Sequence, residues 1–174
     1  VTDPSVSKNT DLSKLIEPYR DSLDYIMKEV IGTATITLDK GKPESLLGNF
    51  VSDLCFQTVN EIQNKSGLHR ANLLVLNSGG LRTVISAGPV TKGEIFELMP
   101  FENELVVVKM PYDSLISLFR YIGEKGGIPV SGLKLNLSDR ELKNVTLIDG
   151  TEIKSGNDYW VATSDFLALG GDGM

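Results

Sequence analysis

The run Asn72 to Leu76 (NLLVL) limits the possible folds more than any other stretch. It is almost wholly apolar, has the length of a strand, and ends in the polar loop Asn77-Ser78-Gly79-Gly80, so it reads as a buried strand ending in a loop. A buried strand needs cover, and the chain supplies it as amphipathic helices. Pro43 opens a long one, in which Leu47, Phe50, Val51, Leu54, Cys55, Thr58, Val59 and Ile62 form one continuous core-facing stripe ended by Lys65-Ser66-Gly67. Upstream, Leu12, Leu15, Ile16, Tyr19, Leu23, Ile26, Met27 and Val30 recur at three- and four-residue steps, which predicts a helix from Asp11 to Val30 with Thr10 or Asp11 as its N-cap. Pro18 falls inside that pattern, where it either kinks the helix or begins its regular part. Pro111 starts a third long helix with Leu115, Leu118, Phe119 and Ile122 at helical spacing, and Glu94 to Leu98 reads as a short helical piece.

The remaining apolar runs have strand character: Ile31–Leu38, Glu104–Met110, Gly132–Leu137, Val145–Ile148 and Tyr159–Ser164. Helices and strands are mixed rather than strictly alternating, which predicts an α+β fold with a mixed β-sheet and helices packed on it. The 174 residues are expected to form a single domain, 1–174, with a helical lead-in over 1–30 and the body over 31–174. A chain of this size buries roughly 70% of the surface its unfolded form exposes, so it needs no covalent staple. With one cysteine, Cys55, it has no intrachain disulfide.

Charge narrows the function. A formal net charge of −6 repels a polyanion, so no nucleic-acid polymer is expected as a partner, and any phosphate-bearing ligand must be gripped by a few placed cations. No apolar run is long enough for a transmembrane segment, and residues 1–10 lack the pattern of a signal peptide.

Three segments combine turn glycines with residues that have no evident core duty. In Asn77-Ser78-Gly79-Gly80-Leu81-Arg82, Gly79 and Gly80 let the backbone approach a ligand while Asn77 and Arg82 present an amide and a forked guanidinium; the plainer reading is an exposed turn with a solvated arginine. In Pro100-Phe101-Glu102-Asn103 the ring of Phe101 faces either a cleft or the core. In the stretch from Asp165 to Gly173, Phe166 and Asp172 flank Gly170-Gly171; one can stack on a planar ring and the other accept hydrogen bonds from a diol, or the segment is simply a glycine-rich strand end.

Together and in this order, the segments resemble the C-terminal, substrate-binding domain of the 5′-nucleotidase, UDP-sugar hydrolase and 2′,3′-cyclic phosphodiesterase family. Glu44-Ser45-Leu46-Leu47-Gly48-Asn49 with Asp53 is similar to the family's helix-opening motif, and the three segments above are similar to its later signatures, so the resemblance runs from about Ile31 to Met174. It implies that Phe101 and Phe166 sandwich a nucleobase and that Asp172 binds the ribose hydroxyls. It also implies that Asn77 and Arg82, with Gly79, Gly80, Asn103 and Gly171 around them, complete a nucleoside or nucleotide site. Because every base offers a π-face, such a site tolerates many bases. The resemblance further implies a periplasmic or cell-surface location, and hydrolysis by a separate N-terminal metallophosphoesterase domain carrying a pair of divalent metal ions.

The chain itself is expected to contribute no catalytic residue, no metal ligand and no cofactor. Its one histidine, His69, reads as a solvated loop residue, Ser78 and Ser164 have no histidine partner, Cys55 lies in a helix stripe, Trp160 reads as core, and Asp139 with Glu141 as a polar turn. One departure concerns the arginine that family members carry before the glutamate of the first motif. Pro43 stands there, leaving Lys40 or Lys42 as the substitute cation, without a guanidinium's fork. The chain also stops at Met174, where the family pattern continues, so a truncation is expected there. A stand-alone nucleoside-binding module and a surface domain that has lost its site are the alternatives.

Overall fold

The structure, a computed structural model, describes residues 10–174, without the side chains of residues 10–16, 18 and 21. The side chains of the expected N-cap, Thr10 or Asp11, of the stripe positions Leu12, Leu15 and Ile16, and of Pro18 lie outside what is described. The order is α1 (Thr10–Met27), β1 (Val30–Ala34), α2 (Leu46–Lys65), β2 (Leu73–Val75), β3 (Gly88–Thr91), α3 (Lys92–Leu98), β4 (Leu105–Pro111), α4 (Tyr112–Glu124), β5 (Val130–Ser131), β6 (Leu133–Ser138), β7 (Glu141–Leu147), β8 (Asp158–Ser164) and α5 (Asp165–Ala168).

The buried run becomes the inner strand β2, with all of its residues buried. The central sheet has the order β4-β8-β2-β5; β2 runs parallel to β8, and the other two pairings are antiparallel. Alternation along β2 divides the core in two. Leu74 and Leu76 join Leu47, Val51 and Val59 of α2 and Leu98 of α3 on one face, whereas Leu73 and Val75 join Leu115, Phe119 and Ile122 of α4 and Val161 of β8 on the other. Leu47, Leu73, Leu74, Leu115 and Phe119 are fully buried, each worth roughly 1.5–3 kcal/mol relative to an exposed side chain. Two antiparallel pairs flank the sheet, β1 with β3 and β6 with β7. The α+β class with a mixed sheet is therefore as the sequence reads.

Several local readings change. Ser45, not Pro43, opens α2: its hydroxyl accepts the Gly48 N–H at 3.0 Å, as an N-cap does. The α2 stripe splits into two ridges. Leu47, Val51, Cys55 and Val59 face the sheet, while Leu46, Phe50, Leu54 and Ile62 stay about half exposed. Leu46 and Phe50 each stand about 100° around the helix from a buried neighbour, Leu47 and Val51, and a single sheet face covers only one ridge. Helix α1 runs through position 18 and lies against α3, with Tyr19, Leu23, Tyr25 and Ile26 exposed.

Trp160 is half buried rather than core, and His69 is not simply solvated. The two rings stack at a centroid distance of 4.7 Å and an interplanar angle of 15°. Asp139 and Arg140, both at positive φ, turn β6 into β7, and Glu141 pairs with Lys143 at 2.8 Å, which holds its carboxyl below the ordinary value. Burial pushes the Cys55 thiol up.

Candidate functional site

The parallel strands β2 and β8 end side by side, and the singled-out segments leave the sheet from those ends, where open α/β-type sheets tend to bind ligands. After β2, Asn77 is extended and Ser78–Gly80 make one 3-10 turn. The turn folds back so closely that a Cβ on Gly80 would lie 2.9 Å from the Asn77 side-chain oxygen, so the glycine makes room for that amide. Asn77 Nδ2 then donates to Asp172 Oδ2 at 2.7 Å, joining two segments that are distant in sequence. Arg82 is held by its N–H on the Leu98 carbonyl at 2.8 Å. Its Nη1 reaches the Gly79 carbonyl at 3.4 Å, and its Cζ stands 5.9 Å from the centroid of the Phe101 ring.

The two phenylalanines come from neighbouring segments. Leu105 of β4 pairs with Ser164 of β8, and just beyond that pair the Asp165 N–H donates to the Glu104 carbonyl at 2.9 Å while the Glu104 N–H donates to Asp165 Oδ1 at 3.1 Å. This reciprocal tie fixes the Phe101 loop against the start of α5, which carries Phe166 and is capped by the buried Ser164, its hydroxyl accepting the Leu167 N–H at 3.3 Å. Neither ring is in the interior. Phe101 is 52% exposed and Phe166 43%.

Gly171 lies directly against Phe166, and a Cβ there would stand 2.5 Å from both the ring and the carbonyl of that residue. Asp172 is left-handed at φ 56°, and its carbonyl accepts the Tyr121 hydroxyl at 2.7 Å, anchoring the last turn to α4. Asn103 is exposed in the loop between Phe101 and Glu104. The structure thus brings Asn77, Gly79, Gly80, Arg82, Phe101, Phe166, Gly171 and Asp172 to one end of the sheet, with Asn103 on the same loop as Phe101.

Next to Asn77 and Asp172 a cavity of about 260 Å³ opens, walled also by Ser78, Gly79, Lys42, Tyr121, Lys125 and Ile128. Tyr121 and Lys125 went unread in the sequence, since they belong to a helix whose apolar spacing draws attention to its other face. The substitute cations for the arginine missing at Pro43 are both engaged. Lys40 Nζ donates to the carbonyls of Leu81 at 3.1 Å and Arg82 at 3.2 Å, bracing the arginine's loop, and Lys42 Nζ donates to the Lys125 carbonyl at the end of α4. Asp53 accepts the Ser131 hydroxyl at 2.6 Å, a tie between α2 and β5. Among the described residues no three His, Cys, Asp or Glu side chains converge as a metal cluster would, and no helix is long and apolar enough to cross a membrane.

Residues 30–174 match the family described as 5′-nucleotidase, C-terminal domain. A trifunctional nucleotide phosphoesterase protein of Bacillus subtilis, YfkN, is 26% identical over 98% of this chain, which corresponds to 13% of that protein. A cell wall protein of Listeria monocytogenes, Lmo0130, is 28% identical over 98% of the chain and 24% of its own length. A 5′-nucleotidase precursor of Thermus thermophilus superposes with a TM-score of 0.72 at 24% identity, over 97% of this chain and 36% of that one. The chain spans between about an eighth and a third of these relatives. It belongs to the family of 5′-nucleotidase C-terminal domains.

Proposed function

We propose that this chain is the nucleoside-recognition domain of a 5′-nucleotidase-type phosphomonoester hydrolase. A base lies between Phe101 and Phe166, and Asp172, oriented by Asn77, accepts hydrogen bonds from the ribose hydroxyls. Arg82 stands beside Phe101, at the rim. The observation that carries this reading is the pair of half-exposed rings on two segments locked together by Glu104 and Asp165. Uncovered rings held by a rigid main chain are preorganised for stacking and pay little ordering cost on binding.

Hydrolysis belongs, in this reading, to a metallophosphoesterase domain with a pair of divalent ions that activates water, and this domain alone hydrolyses nothing. That the chain makes up only a fraction of the relatives' length supports such a division of labour. A location outside the cytoplasm or at the cell surface is part of the same proposal, supported by the likeness to a cell wall protein.

Stacking contributes about 1–3 kcal/mol per base and a charge-assisted hydrogen bond about 1.5–3, before ordering costs, so adenosine should bind with a dissociation constant on the order of millimolar. Titration calorimetry tests this. Phe101→Ala and Phe166→Ala should each weaken binding by about five-fold or more, at a stability cost of about 1–2 kcal/mol because each ring is only about half exposed. Tight adenosine binding, or affinity unmoved in both variants, defeats the reading. Adding a metal-loaded metallophosphoesterase domain should produce nucleotide hydrolysis; a stand-alone binding module would stay inert.

A further inference from the structure

We propose that Tyr121 is the positioning residue for the sugar: by holding the Asp172 carbonyl it aims that residue's carboxylate at the 2′- and 3′-hydroxyls, so that the site prefers ribonucleosides to their 2′,3′-dideoxy counterparts. The inference rests on the nucleoside-binding reading and adds to it a residue that touches no ligand itself. In the last turn Gly170, Asp172 and Gly173 all lie at positive φ, and of the three only Asp172, at φ 56°, carries a side chain. A residue other than glycine keeps that conformation poorly unless its surroundings hold it there. The flanking glycines do not supply the hold, since they fit this backbone but leave it free to take others.

The turn's own hydrogen bonds are long, 3.3 Å from the Gly173 N–H to the Gly170 carbonyl and 3.2 Å from the Met174 N–H to the Gly171 carbonyl. Two shorter ones reach Asp172 from other elements, both at 2.7 Å: the Tyr121 hydroxyl donates to its carbonyl and Asn77 Nδ2 to its Oδ2. They act at different points. Asn77 grips the side chain and leaves Oδ1 open to a ribose hydroxyl, whereas Tyr121 grips the main chain and so decides where that side chain starts. Tyr121 is itself well placed to do this. It is half-buried, its ring lines an apolar cavity of about 590 Å³ between α4 and the sheet beside Leu118, Val161 and Leu167, and Lys125 Nζ stands 5.1 Å from its centroid. A side chain fixed on a helix thus sets the reach of a carboxylate on a turn.

Calorimetry on the 174-residue chain, comparing adenosine with 2′,3′-dideoxyadenosine, separates this role from a merely structural one. Both ligands offer the same base to the rings, and only adenosine has the diol. The parent should favour adenosine about ten-fold, the scale of one charge-assisted hydrogen bond. Tyr121→Phe keeps the ring in the cavity wall and removes the donor. It should cut the preference to about two-fold by weakening adenosine alone, with dideoxyadenosine affinity unmoved. In an Asp172→Asn background, which suits the left-handed turn, the preference should already be small and Tyr121→Phe should change nothing more. A parent without the preference, a preference that survives Tyr121→Phe, or equal losses for the two ligands overturns the proposal. If neither ligand binds the parent, the ring reading fails, and methyl β-D-ribofuranoside still decides the role of Tyr121. The Asn77 side-chain amide resonances should then shift with this sugar in the parent and not in Tyr121→Phe; no shift in the parent, or the same shift in both, overturns the proposal.

Discussion

The two ends of β8 treat aromatic carbon in opposite ways. Near the start, the Trp160 ring is covered by His69, which lies flat on it, while the Trp160 main chain is tied to Asn72, its backbone N–H donating to the Asn72 side-chain oxygen at 2.8 Å and its carbonyl accepting the Asn72 N–H at 2.7 Å. Just past the other end, Phe166 is left nearly half exposed, and across the Glu104–Asp165 tie Phe101 is more exposed still, with only a guanidinium at its face. Single exposed apolar residues are ordinary. Two such rings on clamped segments, beside an amide already oriented onto a carboxylate, are not. The covered end serves stability, and the open end leaves ring surface exposed.

The sharpest way to break this contrast is Trp160→Ala. At the covered end it should cost about 2 kcal/mol in denaturant unfolding, less than a fully buried tryptophan because the ring is only half covered, and leave adenosine affinity unchanged. Lost binding with intact stability would reverse the roles of the two ends. Next comes Gly171→Ala, for which the added Cβ has to displace the Phe166 carbonyl as well as its ring. It should cost about 1.5 kcal/mol and, unlike Trp160→Ala, weaken adenosine binding several-fold, read in the same two assays. The smallest effect is expected for His69→Ala, which uncovers Trp160 without removing it. About 0.5–1 kcal/mol of stability should go, with no change in binding. A larger loss would mean that the histidine holds more than the indole.

The parts of this molecule that periodicity governs were legible. The apolar run at β2, the apolar spacing of α4 and the strands β4 and β8 all lie where their patterns put them, within a few residues. Short strands that exist only because of a distant partner were not. Gly88–Thr91 contains a proline and a glycine, and Val130–Ser131 is a fragment; both are strands because β1 and β2 hold them there. The two ridges of α2 are adjacent on the helix surface, and nothing in three- and four-residue spacing says that the sheet covers only one.

At the candidate site, the glycine-bearing loops and the two phenylalanines stood out because their residue types lacked a core duty. The residues that organise the site did not. Glu104 and Asp165 act largely through main-chain groups, and Tyr121 through a hydroxyl at the open end of a helix, which leaves no mark in residue type or spacing. Lys42 was visible as a charge, but its use at the end of α4 depends on a chain reversal that no local pattern encodes.

Because the clamp between Glu104 and Asp165 draws on two backbone N–H groups, one carbonyl and a single carboxylate, the spacing of the segments that carry Phe101 and Phe166 is set largely by main-chain groups. Exchanging side chains at 101 or 166 therefore changes what those segments expose and leaves the tie between them in place. On the proposed function, preference at this end can drift from one planar ligand to another without the sheet beneath having to be rebuilt.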